Sequence, residues 1–509
     1  MSAARPPAEG VYGELERRFA QLSGLDGALA VLTWDQATLM PTGGGSARAE
    51  QLATLETLRH KILTDPALVR LIDAAEAITS RLNGWQAANL DRMARQARRA
   101  AALPGDLVAA LSRARSACEL RWREARAADD YAAFAELFTP LLGLVRESAT
   151  AWGESLGLDP YDALIDAYEP GMRSEEIDRL FDDLAGFLPE FLGHALEYQA
   201  AKLPRLRFEG YFPIALQEAL SRKLMGCLGF DFEGGRLDVS HHPFCGGVPD
   251  DVRITTRYDE ADFTSALMGV LHETGHALFE RGLPTTWRDQ PVGEAPGMAA
   301  HESQSLLVEM QVCRGRAFLD FATPLIVEAF APCADTTGPA WSVDNLERHA
   351  LWVEPGLIRV DADEVTYPAH ILLRTRLEKA MIAGELSATD LPGAFDDGLE
   401  ALLGIRPESA RNGCLQDVHW PEGLFGYFPC YTLGALAAAQ IFAAACAAVP
   451  DIPATIARGD FAPLMGWLGE QIHGQGSRLA TPELIACATG APLGTAAFKA
   501  HLAQRYLGE

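Results

Sequence analysis

The stretch His272-Glu273-Thr274-Gly275-His276 sets two imidazoles four residues apart, with a carboxylate next to the first. On a helix, positions four apart share one face, their Cβ atoms roughly 5–6 Å apart. Two imidazoles so placed can each reach one Zn²⁺ at about 2.0–2.1 Å. Glu273 then projects beside the ion, where a base that deprotonates a water is needed. This is the H-E-x-x-H spacing of zinc hydrolases. A catalytic zinc takes three protein ligands and keeps a fourth position open. Three later carboxylates can supply the third. Glu302 lies 26 residues after His276, room for a turn and the start of a neighbouring helix. Glu294 falls in a Gly/Pro-rich turn, and Glu309 lies two turns beyond Glu302 on the same face. His301 reads as a group behind a ligand or as a core histidine, since a fourth protein ligand would close the site.

The flanks must hold the motif in a helix. Asp259 or Asp262 can cap its start, and Phe263, Ala266, Leu267, Val270, Leu271 and Leu278 form an apolar stripe. Gly282 and Pro284 end it. Gly275 inside that helix costs about 1 kcal/mol against Ala, and would let another backbone or a substrate come close. Helical periodicity also runs through 47–63, 85–102, 106–126, 131–152, 174–201, 298–330, 342–353, 365–382, 431–448, 462–473 and 495–506. Only Arg236–His241 and Val252–Tyr258 alternate like strands, and with the Gly246-Gly247 turn between them they predict a short hairpin beside the motif helix. The reading is a mainly α fold.

Composition agrees with a large soluble enzyme. Of 509 residues 48% are apolar, and no linker, repeat or low-complexity tract divides the chain, so one domain over 1–509 is expected. The net charge of −26 argues against nucleic acid or an anionic membrane as partner. Nine cysteines without a C-x-x-C pair read as reduced cytoplasmic thiols. Met1 to Glu14 has no apolar leader core. The Ala-rich stretch Leu433–Val449 reads as a buried helix rather than a membrane span.

Further motifs are spread along the chain: Trp34-Asp35-Gln36, Arg48-Ala49-Glu50-Gln51, His242-Pro243-Phe244, Asp251-Val252-Arg253-Ile254-Thr255, His301-Glu302-Ser303-Gln304, Ile358-Arg359 through Glu364, and Gly413 through Trp420 with Gln416-Asp417 and His419. In this order, around the H-E-x-x-H stretch, they resemble the carboxypeptidase Taq family of metallopeptidases. The resemblance implies Glu302 as third ligand, Zn²⁺ as the metal (Co²⁺ being an alternative), and a helical cradle with a deep groove and a small sheet by the metal. It also implies a homodimer. The implied activity is broad-specificity removal of C-terminal residues one at a time from peptides. A zinc oligopeptidase cutting internal bonds is the alternative. Leu306, Val308 and Cys430 depart from the family pattern and bear on subsite preference.

The chemistry asks for two more kinds of group. Donors to the tetrahedral oxyanion could be His242, His419, Tyr427 or Tyr431, with Asp417 orienting His419. A substrate carboxylate needs a guanidinium fork, for which Arg253, Arg359 and Arg411 are candidates. Arg359 could instead pair with Asp361, Asp363 or Glu364. Trp34 and Asp35 read as groove wall or structure.

Overall fold

The computed structural model describes residues 10–509. The reading of Met1–Glu14 falls mainly on residues 1–9, outside the described residues. The chain packs as two compact units, each built from separated segments.

The first unit takes Met1–Ala100, Pro204–Ala350 and Ala437–Leu493. Its N-terminal core joins Tyr12, Leu15, Phe19 and Leu22 to Leu68, Ile72, Leu90 and Met93. A three-stranded sheet lies in the same unit: β1 (Gly235–Val239), β2 (Phe244–Val248) and β3 (Asp251–Thr256). The order is β1-β3-β2, with β1 parallel and β2 antiparallel to β3. The expected short hairpin is present, but it joins β2 to β3 rather than the two alternating segments. Gly246-Gly247 is not its turn but part of the edge strand β2, and the two alternating segments run parallel. Glycine carries no strand pattern to read. Gly247 sits at φ 88°, where a Cβ would run into the backbone of Asp251, so only glycine fits.

The sheet explains part of the N-terminal motif. Arg236 and Arg253 face each other across β1 and β3, an arrangement that like charges disfavour. Asp238 binds Arg236 and Asp251 binds Arg253, each with two hydrogen bonds or more. The buried Trp34 ring lies under both guanidinium groups, 4.8 Å from Arg236 and 4.2 Å from Arg253. Trp34 is therefore structural, and Asp35 pairs with Arg48 at 2.6 Å.

The motif helix runs Phe263–Gly282, capped by Asp262 accepting from the Thr264 N–H, and it ends at Gly282 as expected. Its sheet side packs Val270 and Ala277 with Met225, Phe230, Leu237, Val252 and Ile254. Against its other side lies Met298–Leu306. The expected continuous helix 298–330 is broken. Leu307–Cys313 is a π-helix, and a new α-helix begins at Arg316. Apolar periodicity does not register one extra residue per turn.

The second unit takes Ala101–Leu203, Leu351–Leu436 and Gly494–Glu509. Long helices Gly105–Ala128, Tyr131–Leu156, Ser174–Ala200, Tyr367–Ala383 and Leu391–Leu403 form it. Phe134 stacks on Phe138, and Phe138 on Phe425. Glu364 holds the C-terminal segment through His501, Arg505 and Tyr506.

Helix Pro429–Ala448 is, among the described residues, the one long and apolar enough to cross a membrane by length and composition. Leu433, Leu436, Ala437, Ala438, Ile441 and Ala445 on it are buried. All nine cysteines are free thiols. Helix Gly10–Thr38 is missing from the periodicity reading: its apolar pattern is weak, and ion pairs such as Arg59–Asp26 tie its later half to Gly45–Leu63.

Gly275 is where the two site helices meet. A Cβ there would stand 2.7 Å from the Ser305 Cα and even closer to the Gln304 carbonyl. Gly275→Ala should therefore lower stability by about 1–3 kcal/mol despite the better helix former. Thermal unfolding checks this, and an unchanged or raised midpoint would contradict the packing.

Candidate metal centre and substrate residues

The motif helix puts His272 and His276 on one face, and the next helix delivers Glu302 between them. The three donor atoms lie within 4.8 Å of one another. The Glu302 Oε2 is 3.9 Å from His272 Nε2 and 3.3 Å from His276 Nε2. Of the three competing carboxylates, this places Glu302 alone in the cluster.

Glu309 goes elsewhere. Its Oε2 is 2.9 Å from His272 Nδ1, and its Oε1 is bound by Arg314 Nη2 at 2.7 Å. The Nδ1 of His276 meets the His301 carbonyl at 3.1 Å and the His301 Nδ1 at 2.7 Å. The His301 Nε2 in turn lies 2.8 Å from Glu280. Each motif imidazole thus has a partner behind its Nδ1 and turns its Nε2 toward Glu302. A proton behind and a lone pair in front is how metal-ligating histidines are held. The donor set of two imidazoles and one carboxylate fits a divalent ion such as zinc. Glu294 is exposed in its turn and outside the cluster.

Without an ion the cluster behaves as an ion pair. Burial disfavours charge on His272, but Glu309 and Glu302 outweigh it and raise its pKa to about 10. Burial and the neighbouring His301 hold His276 down to about 4. Glu302, despite burial, is drawn to about 2 by His276 and His272. Glu273 is buried beside this cluster, and burial lifts it to about 7, with Glu302 and Glu309 adding to the rise.

The other candidates fall in different places. Arg253 is committed to Asp251 and Trp34. His242 is exposed, its ring against His241. Arg411 donates to the Arg126 and Ala127 carbonyls at a helix end. In the second unit, Arg359, His419, Tyr427 and Tyr431 gather with Tyr367 and Arg374. Arg359 Nε and Nη2 bind Asp417, at 2.8 and 2.6 Å, and its Nη1 donates to the Tyr367 hydroxyl at 2.9 Å. Arg374 takes the other Asp417 oxygen at 2.7 Å. Two expectations are corrected here. Arg359 pairs with none of Asp361, Asp363 and Glu364: Asp363 caps the helix start at Val365 and Thr366, and Glu364 is taken by the C-terminal segment. Asp417 does not orient His419, because both its oxygens are taken by guanidinium groups. His419 Nε2 faces the Tyr431 hydroxyl at 3.2 Å instead. Its ring also lies 5.6 Å from that of Tyr427.

Arg314, Glu280, Arg374 and Glu378 are missing from the sequence reading. Glu378 is fully buried and accepts from Trp420 Nε1, the Gly426 N–H and the Tyr161 hydroxyl, which pins the loop after His419. Burial nevertheless raises its pKa to about 8. No spacing rule marks such a residue inside an ordinary helix.

Helices carrying an H-E-x-x-H face, completed by a carboxylate from the following helix, define a metallopeptidase. The comparisons carry this to a family. A model of the Carboxypeptidase Taq (M32) metallopeptidase family matches residues 14–506. Thermostable carboxypeptidase 1 of Thermus thermophilus is 39% identical over 508 residues, 97% of each chain. Carboxypeptidase 1 of Bacillus subtilis is 33% identical, covering 94% of each. Among solved structures, Trypanosoma cruzi metallocarboxypeptidase 1 superposes with a TM-score of 0.95 at 39% identity, covering 97% of this chain and 99% of that one. The M32 carboxypeptidase of Deinococcus radiodurans R1 gives 0.92 at 36% identity, covering 98% and 99%. The chain belongs to the carboxypeptidase Taq (M32) family of metallocarboxypeptidases.

The Glu309 contact has a pH signature in the metal-free protein. The folded-state pKa of His272, about 10, lies above its ordinary 6.5. The stability it contributes is therefore full below 6.5 and is lost as pH rises toward 10. Chelator-stripped protein should show a falling unfolding midpoint across that window, and Glu309→Gln should flatten the fall. Equal slopes would mean the contact does not hold the proton.

Proposed function

We propose that this metallocarboxypeptidase binds one zinc ion through His272, His276 and Glu302, with Glu273 as general base. It would release C-terminal residues one at a time, with broad specificity. The observation that carries this is the convergence of the two Nε2 atoms on Glu302, with Glu273 buried alongside. When bound, the ion would polarise the scissile carbonyl and make a water more acidic. Glu273 takes the proton of the attacking water and hands it to the leaving amine.

The groups around Arg359 suit the substrate end of the reaction. Arg359 Nη1 rests on a phenol hydroxyl, a partner that a carboxylate oxygen can replace. Two guanidinium groups share one carboxylate at Asp417, which leaves net positive charge there. We assign Arg359 to the C-terminal carboxylate, ahead of Arg253 and Arg411, whose forks are held by Asp251 and by backbone carbonyls. His419, Tyr427 and Tyr431 are the candidate donors to the developing oxyanion. His242, exposed beside His241, is the weaker one. We further propose that the chain works as a single catalytic domain, as a homodimer in the cytoplasm. The free thiols and acidic surface support that location.

Glu273→Gln should keep its metal and lose activity by about 10²–10⁴-fold. Metal analysis and turnover on the same sample check this, and near-normal turnover would remove Glu273 from the role. Amidating the C-terminus of a peptide should slow cleavage roughly ten- to hundredfold, the worth of one charge-assisted hydrogen bond. Mass spectrometry of the digest distinguishes the readings. Efficient internal cleavage of amidated peptide would favour the oligopeptidase and leave the metal chemistry standing.

A further inference from the structure

The two motif histidines are backed in different ways. Behind His272 stands a carboxylate, Glu309, in direct contact and clamped by Arg314. Behind His276 stands another imidazole, and only behind that a carboxylate: Glu280, 2.8 Å from His301 Nε2. The Nδ1 atoms of His276 and His301 are 2.7 Å apart. Two nitrogens at that distance must share one proton, since two protonated nitrogens repel and two bare ones have nothing to bond.

The neighbours decide which nitrogen carries it. A carboxylate at Glu280 accepts, so His301 Nε2 is the protonated nitrogen of that ring, and His301 Nδ1 is an acceptor. The shared proton then belongs to His276 Nδ1, which also points to the His301 carbonyl. This assignment satisfies the three contacts behind the ring and leaves His276 Nε2, on the side of Glu302, with the lone pair a metal ligand needs.

We propose that His301 is a positioning residue of the metal site. Its imidazole relays the pull of Glu280 to His276, fixing the ring's tautomer and angle and raising the donor strength of its Nε2. The proposal rests on the ligand reading given above, and assigns to His301 and Glu280 a part in it that the ligands alone do not require. Glu280 belongs to the motif helix itself, one turn beyond His276, so the helix supplies both a ligand and that ligand's remote carboxylate. His301 adjoins Glu302, so a single step of the next helix supplies the third ligand and the relay. The packing alternative is also visible. The His301 ring lies 4.5 Å from that of His276 and 5.5 Å from that of Phe279, so it could serve as mere filling between them.

Substitution by phenylalanine separates the two. His301→Phe keeps a flat ring between His276 and Phe279 but removes both nitrogens. Zn²⁺ affinity, measured by competition with a chelator, should fall about 10–100-fold, and the visible spectrum of the Co²⁺-loaded variant should change. Glu280→Gln should weaken Zn²⁺ in the same direction by less, because its amide oxygen still accepts from Nε2. The double variant should be no weaker than His301→Phe alone, since both changes break one chain. Unchanged Zn²⁺ affinity and Co²⁺ spectrum in His301→Phe would reduce the residue to packing. Additive losses in the double variant would reject the relay. If His301→Phe does not fold, Glu280→Gln alone decides, through its affinity and spectrum. Glu302→Ala keeps the two readings apart. If it retains metal, the ligand set is wrong. If it loses metal while His301→Phe does not, only the relay is.

Discussion

The contact at Gly275 is the constraint on which the rest of the site depends. Glu302 can stand between two imidazoles of another helix only if the two backbones approach within side-chain-free distance. The chain accepts a glycine in mid-helix to permit this, at a cost of about 1 kcal/mol in propensity. The cost is offset by burial along the same helix: Val270, Leu271, Ala277 and Phe279 are all fully enclosed. Gly282 repeats the device at the helix end, against the His473 ring. His473 in turn holds Gln304 at 3.0 Å, which fixes the backbone carrying Glu302. His473 and Gln304, outside the His-His-Glu cluster, therefore act on it through helix placement.

Charge is handled differently in the two units. In the first, buried carboxylates and imidazoles balance in pairs. In the second, Asp417 alone answers Arg359 and Arg374, and all three are almost wholly buried. Burial opposes charge on the arginines, yet Tyr367 and Asp417 hold Arg359 protonated, and the two arginines keep Asp417 ionised. Breaking such a group leaves an unpaired buried charge, which is far costlier than never having built it. The aromatic faces of Phe428, Tyr431 and Phe395 ease the burden.

The His272–His276 pair at the heart of the candidate cluster was legible in the sequence because helical spacing fixes geometry. Two histidines four apart can only share a face, and the resemblance chose Glu302 where spacing left three carboxylates open. The mainly α class was legible for the same reason. What escaped was whatever periodicity does not encode. The Gly-rich strand β2 has no alternating side chains, so its order in the sheet was misread. The π-helix after Leu306 looks like continuous helix in an apolar pattern. Partners of buried charges, such as Asp417 for Arg359 and Glu280 for His301, are set by tertiary packing across tens of residues. His301 itself was read as a group behind a ligand, but what stood behind it was not visible.

The π-helix Leu307–Cys313 has a consequence for how this segment can change over generations. His272 is clasped at both nitrogens by carboxylates of a single stretch of chain, Glu302 before Nε2 and Glu309 behind Nδ1. An unbroken α-helix would return the seventh residue to nearly the same face, about 10.5 Å further along. The wider turn changes that phase. Losing one residue there would let the stretch relax into ordinary helix and swing one carboxylate off the ring; gaining one would shift the other way. The interval from Glu302 to Glu309 is thus a fixed ruler, whose length sets both contacts of the His272 ring at once.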